Sequence, residues 1–299
     1  MYAYVINHFG NNPKYLEYEI YFLINLRNLT NYDIIYLYSG YDTPNIYIDI
    51  IKSLNLNIKF NKYNDDGITI NLSKSFISKY EHFNTLRTCN FIFSYLINGY
   101  KKLCILESDM YLIDNIDHIF ELNCPSVFYT MNKDRRDLNI INYKFDLDLN
   151  DILINCEKGS PINGGLLLIT PSKDKFKLYK KNIKRIINNN CAFPNETLFL
   201  ISNKICYNLP IKYNFLHYNL RYFNEYKDVK LIHYNNTIYK PLDIIKDNYI
   251  DKLQYNNRNI INKYKKSIYS NNYKKVNSLL KKLIFNLDIV KKNNINVKD

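Results

Sequence analysis

Four apolar runs of strand length, alternating with segments of helical spacing, constrain the fold more than any other feature. Tyr2–Asn7, Tyr32–Tyr38, Asn57–Phe60 and Lys102–Leu106 read as strands. Between them, Pro13–Leu29 has apolar residues at helical spacing with proline at its start, and Thr43–Leu54 is a short helix opened by Thr43-Pro44. His82–Asn98 is a long apolar helix closed by Gly99. Strands alternating with helices build βαβ units, so the expected fold is α/β and Rossmann-like, with a mixed, mainly parallel sheet. Ligands of such sheets bind beyond the carboxyl ends of the strands. The residues just past each strand therefore carry the functional information.

The fourth strand runs directly into Glu107-Ser108-Asp109. Two carboxylates at i and i+2 at the mouth of a parallel sheet can share one divalent cation, and oxygen ligands suit Mn²⁺ or Mg²⁺, which can hold a diphosphate. The same three residues also read as a polar turn leaving a strand. Further on, Ser126–Met131 is a strand, and Asn132–Lys158 is polar and without period, which predicts a loop over a site. Asn163-Gly164-Gly165 opens the apolar stretch Ile162–Thr170; its glycines let a ligand approach the backbone and its asparagine can bond to sugar hydroxyls, although alone the triplet reads as a turn. Pro171–Asn189 is a basic amphipathic helix, Glu196–Ser202 a short helix and Val229–His233 a late strand.

Taken in order, these segments resemble glycosyltransferase family 8, the glycogenin and galactinol synthase group. Glu107-Ser-Asp109 with Met-Tyr-Leu-Ile-Asp114 and Asn115-Ile-Asp117-His-Ile-Phe120 is similar to the family's Asp-x-Asp stretch. Pro161-Ile-Asn163-Gly164-Gly165 with Pro171-Ser172 resembles its Asn-Ser-Gly segment, and Leu209-Pro210-Ile-Lys-Tyr213-Asn214 its Leu-Pro-x-x-Tyr-Asn. His233-Tyr234 and Lys240-Pro241 are similar to its Val-His-Phe and Lys-Pro-Trp, with Leu242 in the tryptophan position. The departures are Glu107 for the first Asp, Gly164 for Ser, and Asn195-Glu196 for an Asp-Gln pair.

The resemblance spans about residues 2–243 and implies the GT-A fold with Mn²⁺ (or Mg²⁺) held by Glu107, Asp109 and His233. It implies a UDP-sugar donor contacted by Val5, Asn7, Arg87, Glu107, Ser108, Asp109, Gly164, Gly165 and Lys240, with Val5–Asn7 bordering the uracil and Lys240 and Arg87 on the phosphates. Asn163, Asn195 and Glu196 would orient the sugar. The expected reaction is retaining transfer of a hexose, with glucose leading, to a protein or glycan acceptor. Self-glycosylation on a tyrosine is a further implication, with Tyr218, Tyr222 and Tyr226 as neighbours. A homodimer is left open.

The formal net charge of +13 invites a nucleic-acid reading, but residues 246–299 hold 13 basic residues against 4 acidic ones. The expected organisation is a transferase domain over 1–245 and a basic helical extension over 246–299, with helices at Tyr249–Tyr269 and Asn271–Leu287. Nucleic acid is not the expected partner. The alternative is a decayed transferase domain that binds nucleic acid or an anionic surface through this tail. The six cysteines form no CxxC pair and read as buried free thiols of a reducing compartment. The first residues lack the pattern of a signal peptide and no run is long enough to span a membrane, so a cytoplasmic location is expected. The composition, with 30 Tyr and no Trp, suits an AT-rich genome, viral or parasitic.

Overall fold

The computed structural model describes residues 1–65, 87–130, 143–157, 159–189, 191–216 and 228–235. The expected features at Lys240, Leu242, Tyr218, Tyr222, Tyr226 and 246–299 lie outside the described residues.

The chain opens with β1 (Tyr2–His8), α1 (Pro13–Leu29), β2 (Asp33–Ser39), α2 (Asn45–Ser53) and β3 (Ile58–Tyr63). Asn12 caps α1 by accepting from the Lys14 amide, and Pro13 supplies a first-turn φ with no orphan N–H. A 3-10 helix (Thr88–Leu96) leads into β4 (Lys102–Leu106) and the short β5 (Met110–Leu112). After β6 (Ser126–Tyr129) and β7 (Lys144–Phe145) come α3 (Leu149–Asn155), β8 (Ile162–Ile169), α4 (Lys173–Asn188) and α5 (Pro194–Ser202). The described part closes with β9 (Cys206–Asn208), β10 (Phe215–Leu216) and β11 (Leu231–His233).

Eight strands form one sheet in the order β3-β2-β1-β4-β8-β6-β9-β7. β3, β2, β1 and β4 are parallel, whereas β8 runs antiparallel to both β4 and β6. Side-chain alternation divides the core into two layers. Tyr4, Ile6, Tyr36, Cys104 and Leu106 face α1 and α2, where Leu16, Ile20, Leu23, Ile48 and Ile51 meet them. Ala3, Val5, Ile35, Leu103 and Ile105 face the 3-10 helix, α4 and α5, packing with Ile92, Tyr179, Ile183 and Phe199. This is the α/β sandwich that the alternating pattern implies.

Two expectations are corrected. The stretch over 132–158 is not a structureless loop: its described part, 143–157, carries β7 and α3. Asp148 accepts from the Asn150 and Asp151 amides at the start of α3, and buried Ile152 and Cys156 anchor a helix too short and polar to show a period. Of the helix expected over 82–98, residues 82–86 lie outside the described residues, and Thr88–Leu96 winds as a 3-10 helix. Five of the six free cysteines are buried and Cys124 is half-buried. Among the described residues, no helix is long and apolar enough to cross a membrane.

Candidate active site

At the carboxyl end of β4 the chain leaves the main sheet. The Glu107 amide still donates to Gly165 O (2.9 Å), and three residues later β5 starts a second, three-stranded sheet in the order β10-β11-β5. In the β5–β11 register, Met110 stands opposite His233, and Tyr234 N donates to Asp109 O (2.9 Å). Asn25 fixes β5 from α1, accepting from Leu112 N (2.8 Å) and donating to Leu112 O (3.1 Å). This pairing brings His233 to Glu107 and Asp109 across more than a hundred residues of chain.

One ligand atom from each of Glu107, Asp109 and His233 lies within 4.8 Å of the others. His233 Nε2 is 3.3 Å from Glu107 Oε2 and 3.2 Å from Asp109 Oδ1. The imidazole is fully buried, yet Nε2 makes no hydrogen bond of acceptable geometry. Its other nitrogen is well held: Nδ1 lies 3.0 Å from Asn214 Oδ1 and 3.1 Å from Asn163 Oδ1. Asn214 Nδ2 donates to Asn163 Oδ1 (2.8 Å), which also accepts from Gly165 N (3.2 Å). Both groups facing Nδ1 are acceptors, so Nδ1 carries a hydrogen and Nε2 is the nitrogen left to face the carboxylates. A second ring nitrogen fixed in this way is how proteins orient a ligating histidine. Burial alone would lower the His233 pKa, but Asp109 and Glu107 outweigh it and push it up to about 9. Once the ring gives up its proton, two carboxylates and one buried imidazole nitrogen make a donor set that fits Mn²⁺ or Mg²⁺.

The glycine pair owes its presence to side chains. A Cβ on Gly165 would lie 2.2 Å from His233 Cε1, so the ring occupies the space a side chain would take. A Cβ on Gly164 would press on Asn195 Nδ2 (3.0 Å) and Glu196 Cγ (3.2 Å). Glu196 Oε1 accepts from Gly164 N (3.3 Å) while its buried Oε2 has no hydrogen-bond partner. Burial, with Glu107 nearby, pushes the Glu196 pKa up to about 7.

A cleft of about 1270 Å³ runs from Glu107, Ser108 and Asp109 past Gly164, Gly165 and Asn195 to Asn7, Phe9, Asp42 and Arg87. The structure therefore gathers most of the residues singled out in the sequence. Val5 is fully buried in the core on the 3-10-helix side and does not line the cleft; only Asn7 of that pair does. Arg87 lines it with its guanidinium already engaged, paired with both oxygens of Asp42 and stacked 4.9 Å over the Phe9 ring. Burial opposes ionisation of Asp42, but Arg87 holds its pKa below the ordinary value. Asn115 and Asp117 play a structural part: Asp117 accepts from Tyr4 (2.8 Å) and Thr30 (2.5 Å), tying α1 to the sheet. Two features are not evident from the sequence. The Asn214 contact to His233 sits at the end of a segment that was visible, and the partnership of Arg87 with Asp42 left no signal.

No family model matches the chain. An uncharacterized protein of Acanthamoeba polyphaga mimivirus is 26% identical over 151 residues, 48% of this chain and 51% of that protein. The chain thus spans about half the length of the curated relative it matches. Among solved structures, the galactosyltransferase LgtC in complex with donor and acceptor sugar analogues matches with a TM-score of 0.52 at 16% identity, over 80% of this chain and 88% of LgtC. The bifunctional glycosyltransferase WbbM matches with a TM-score of 0.54 at 14% identity, over 93% of this chain and 51% of WbbM. At such identities the likeness is one of architecture, and the chain has the GT-A glycosyltransferase fold.

Proposed function

We propose that this chain is a metal-dependent glycosyltransferase that moves a hexose from a UDP-sugar to an acceptor hydroxyl with retention of configuration. The observation that carries this reading is the convergence of Glu107, Asp109 and the oriented Nε2 of His233, with both carboxylates lining a cleft beyond the strand ends. A divalent cation there supplies charge neutralisation for the diphosphate leaving group. The protein's own residues do the rest. Asn163 and Asn214 hold the His233 ring in one orientation. Asn195 and Glu196, packed on Gly164, orient the sugar, and Glu196 carries a proton below about pH 7 that it can share with a sugar hydroxyl. Ser108 and Gly165 line the cleft beside the donor, and Asn7 borders the uracil. Glucose is the leading sugar, a protein or glycan hydroxyl the acceptor, and Lys240 a further phosphate contact, all through the resemblance to family 8.

The test is UDP release across UDP-glucose, UDP-galactose and UDP-N-acetylglucosamine, with and without Mn²⁺. We expect Mn²⁺-dependent release from one donor. No release from any of them, with no donor-induced thermal shift, contradicts the proposal. The anomeric proton coupling of the product, read by NMR, decides retention. Intact mass after incubation with the donor decides self-glycosylation.

A further inference from the structure

His8, the last residue of β1, is 1% exposed. Its Nδ1 is 2.8 Å from both oxygens of Glu19 on α1, and its Nε2 is 3.1 Å from Gly10 O. Both ring nitrogens face oxygens that accept, so both carry hydrogen and the ring is an imidazolium paired with a buried carboxylate. Tyr36 completes the cage by donating to Glu19 Oε2 (2.5 Å) and stacking on the His8 ring at 5.8 Å. Glu19 itself lines the cleft.

The carbonyl that His8 holds belongs to the segment Phe9–Asn12, which forms one wall of the cleft. Gly10 turns there with φ +88°, in the left-handed region that favours glycine. Further contacts on this turn come from α2, the loop before it and Arg87: Gly10 N donates to Asp42 Oδ1 (3.1 Å), Tyr47 OH to Asn11 O (2.5 Å), and the Arg87 guanidinium stacks on the Phe9 ring. From beneath, His8 reaches the Gly10 carbonyl and links the turn to α1. We propose that His8 is a positioning residue: its imidazolium, held by Glu19, clamps the Gly10 carbonyl and shapes the wall of the cleft against which the donor nucleoside rests. The nucleoside contact rests on the proposed function; the clamp does not.

The charge balance around the ring favours the cation. Burial alone would lower the His8 pKa, but Glu19, the Gly10 carbonyl and Asp42 outweigh it and raise it above the ordinary value. Tyr36 from β2, Tyr47 from α2 and Tyr63 from β3 also face the ring or its backbone, the last donating to His8 O (3.4 Å). Because the pKa is raised, the clamp is present at lower pH and is released as pH rises through it.

The experiment uses the full chain labelled with ¹⁵N, in wild type and Glu19→Gln. Glutamine keeps an acceptor for Nδ1 and removes the charge, and a thermal melt verifies that the variant folds. Long-range ¹H–¹⁵N spectra report the His8 titration, and the Asn11 amide shift reports the hydrogen bond to the adjoining Gly10 carbonyl. In the wild type, the Asn11 shift should track a His8 titration lying above the ordinary histidine range. In Glu19→Gln both should move together to lower pH, and at pH 7 the KM for the UDP-sugar should rise about tenfold, the loss of one hydrogen bond, with kcat within about twofold. A neutral His8 at pH 7 in the wild type, an Asn11 shift that ignores the His8 titration, or an unchanged KM in the variant overturns the proposal. If the wild type binds no UDP-sugar, the proposed function fails while the coupled titration still decides the clamp.

Discussion

The two ends of the cleft solve the problem of buried charge in opposite ways. At the Phe9–Asn12 wall every charge has a protein partner: Arg87 lies on Asp42 and His8 on Glu19. At the β4–β8 corner two carboxylates, Glu107 and Asp109, share the single nitrogen His233 Nε2, and Glu196 sits close by. A pre-paired wall keeps its shape without a ligand. A corner with surplus negative charge lowers its free energy by taking up a cation, since isolated buried charge is costly. The difference suggests a division of labour, in which the wall gives shape and the corner gives affinity for what carries positive charge.

The contrast can be broken most severely at the corner. Asp109→Ala should reduce Mn²⁺-dependent turnover by on the order of 10³-fold, measured as UDP release, because a direct ligand is lost. Normal turnover in this variant would sink the site assignment. Gly165→Ala should act on both structure and site. Its Cβ would meet the His233 ring at 2.2 Å, so we expect destabilisation of roughly 1–3 kcal/mol in urea unfolding together with loss of Mn²⁺ binding. Asn214→Ala touches no cation directly. It frees the His233 ring to rotate, and calorimetry should show Mn²⁺ affinity weakened about 10–100-fold.

A smaller effect is expected in the pH dependence. The Glu196 pKa is raised from 4.5 to about 7, so its contribution to stability is fully present below pH 4.5 and is lost as pH rises to about 7. In chelator, the wild type should therefore lose stability over this window relative to Glu196→Gln, by on the order of 1–3 kcal/mol in denaturant titrations at pH 4.5 and 7.5. A difference between the two proteins that stays constant across the window contradicts the assignment. His233, raised to about 9, must release its proton to bind metal, so Mn²⁺ uptake near pH 7.5 should release protons in calorimetry across buffers.

Much of the architecture was legible because the central strands are continuous apolar runs buried on both faces. The segment KLCIL of β4 and the segment DIIYLYS of β2 leave little choice of structure. What stayed hidden was short or satisfied at long range. β5 is three residues long, and its partner β11 lies over a hundred residues away, so no local pattern announces the second sheet. α3 owes its place to one cap and two buried residues. In the site, Glu107 and Asp109 were readable from their position after a strand, and His233 from its resemblance to a family segment. The reason for Gly165 was not readable, because the ring that fills its space arrives from another part of the chain. Arg87 was expected on phosphates, and its pairing with Asp42 shows how a charge can be taken up by a neighbour that sequence spacing does not reveal.

On the proposed function, Glu107, Asp109 and His233 hold a cation through which the cleft binds a nucleotide diphosphate. Calorimetric titration of UDP into the wild type, with Mn²⁺ and then with chelator, tests it most directly. We expect saturable UDP binding that requires Mn²⁺ and disappears in Asp109→Ala. UDP binding of equal strength in chelator, or unchanged in Asp109→Ala, would contradict it.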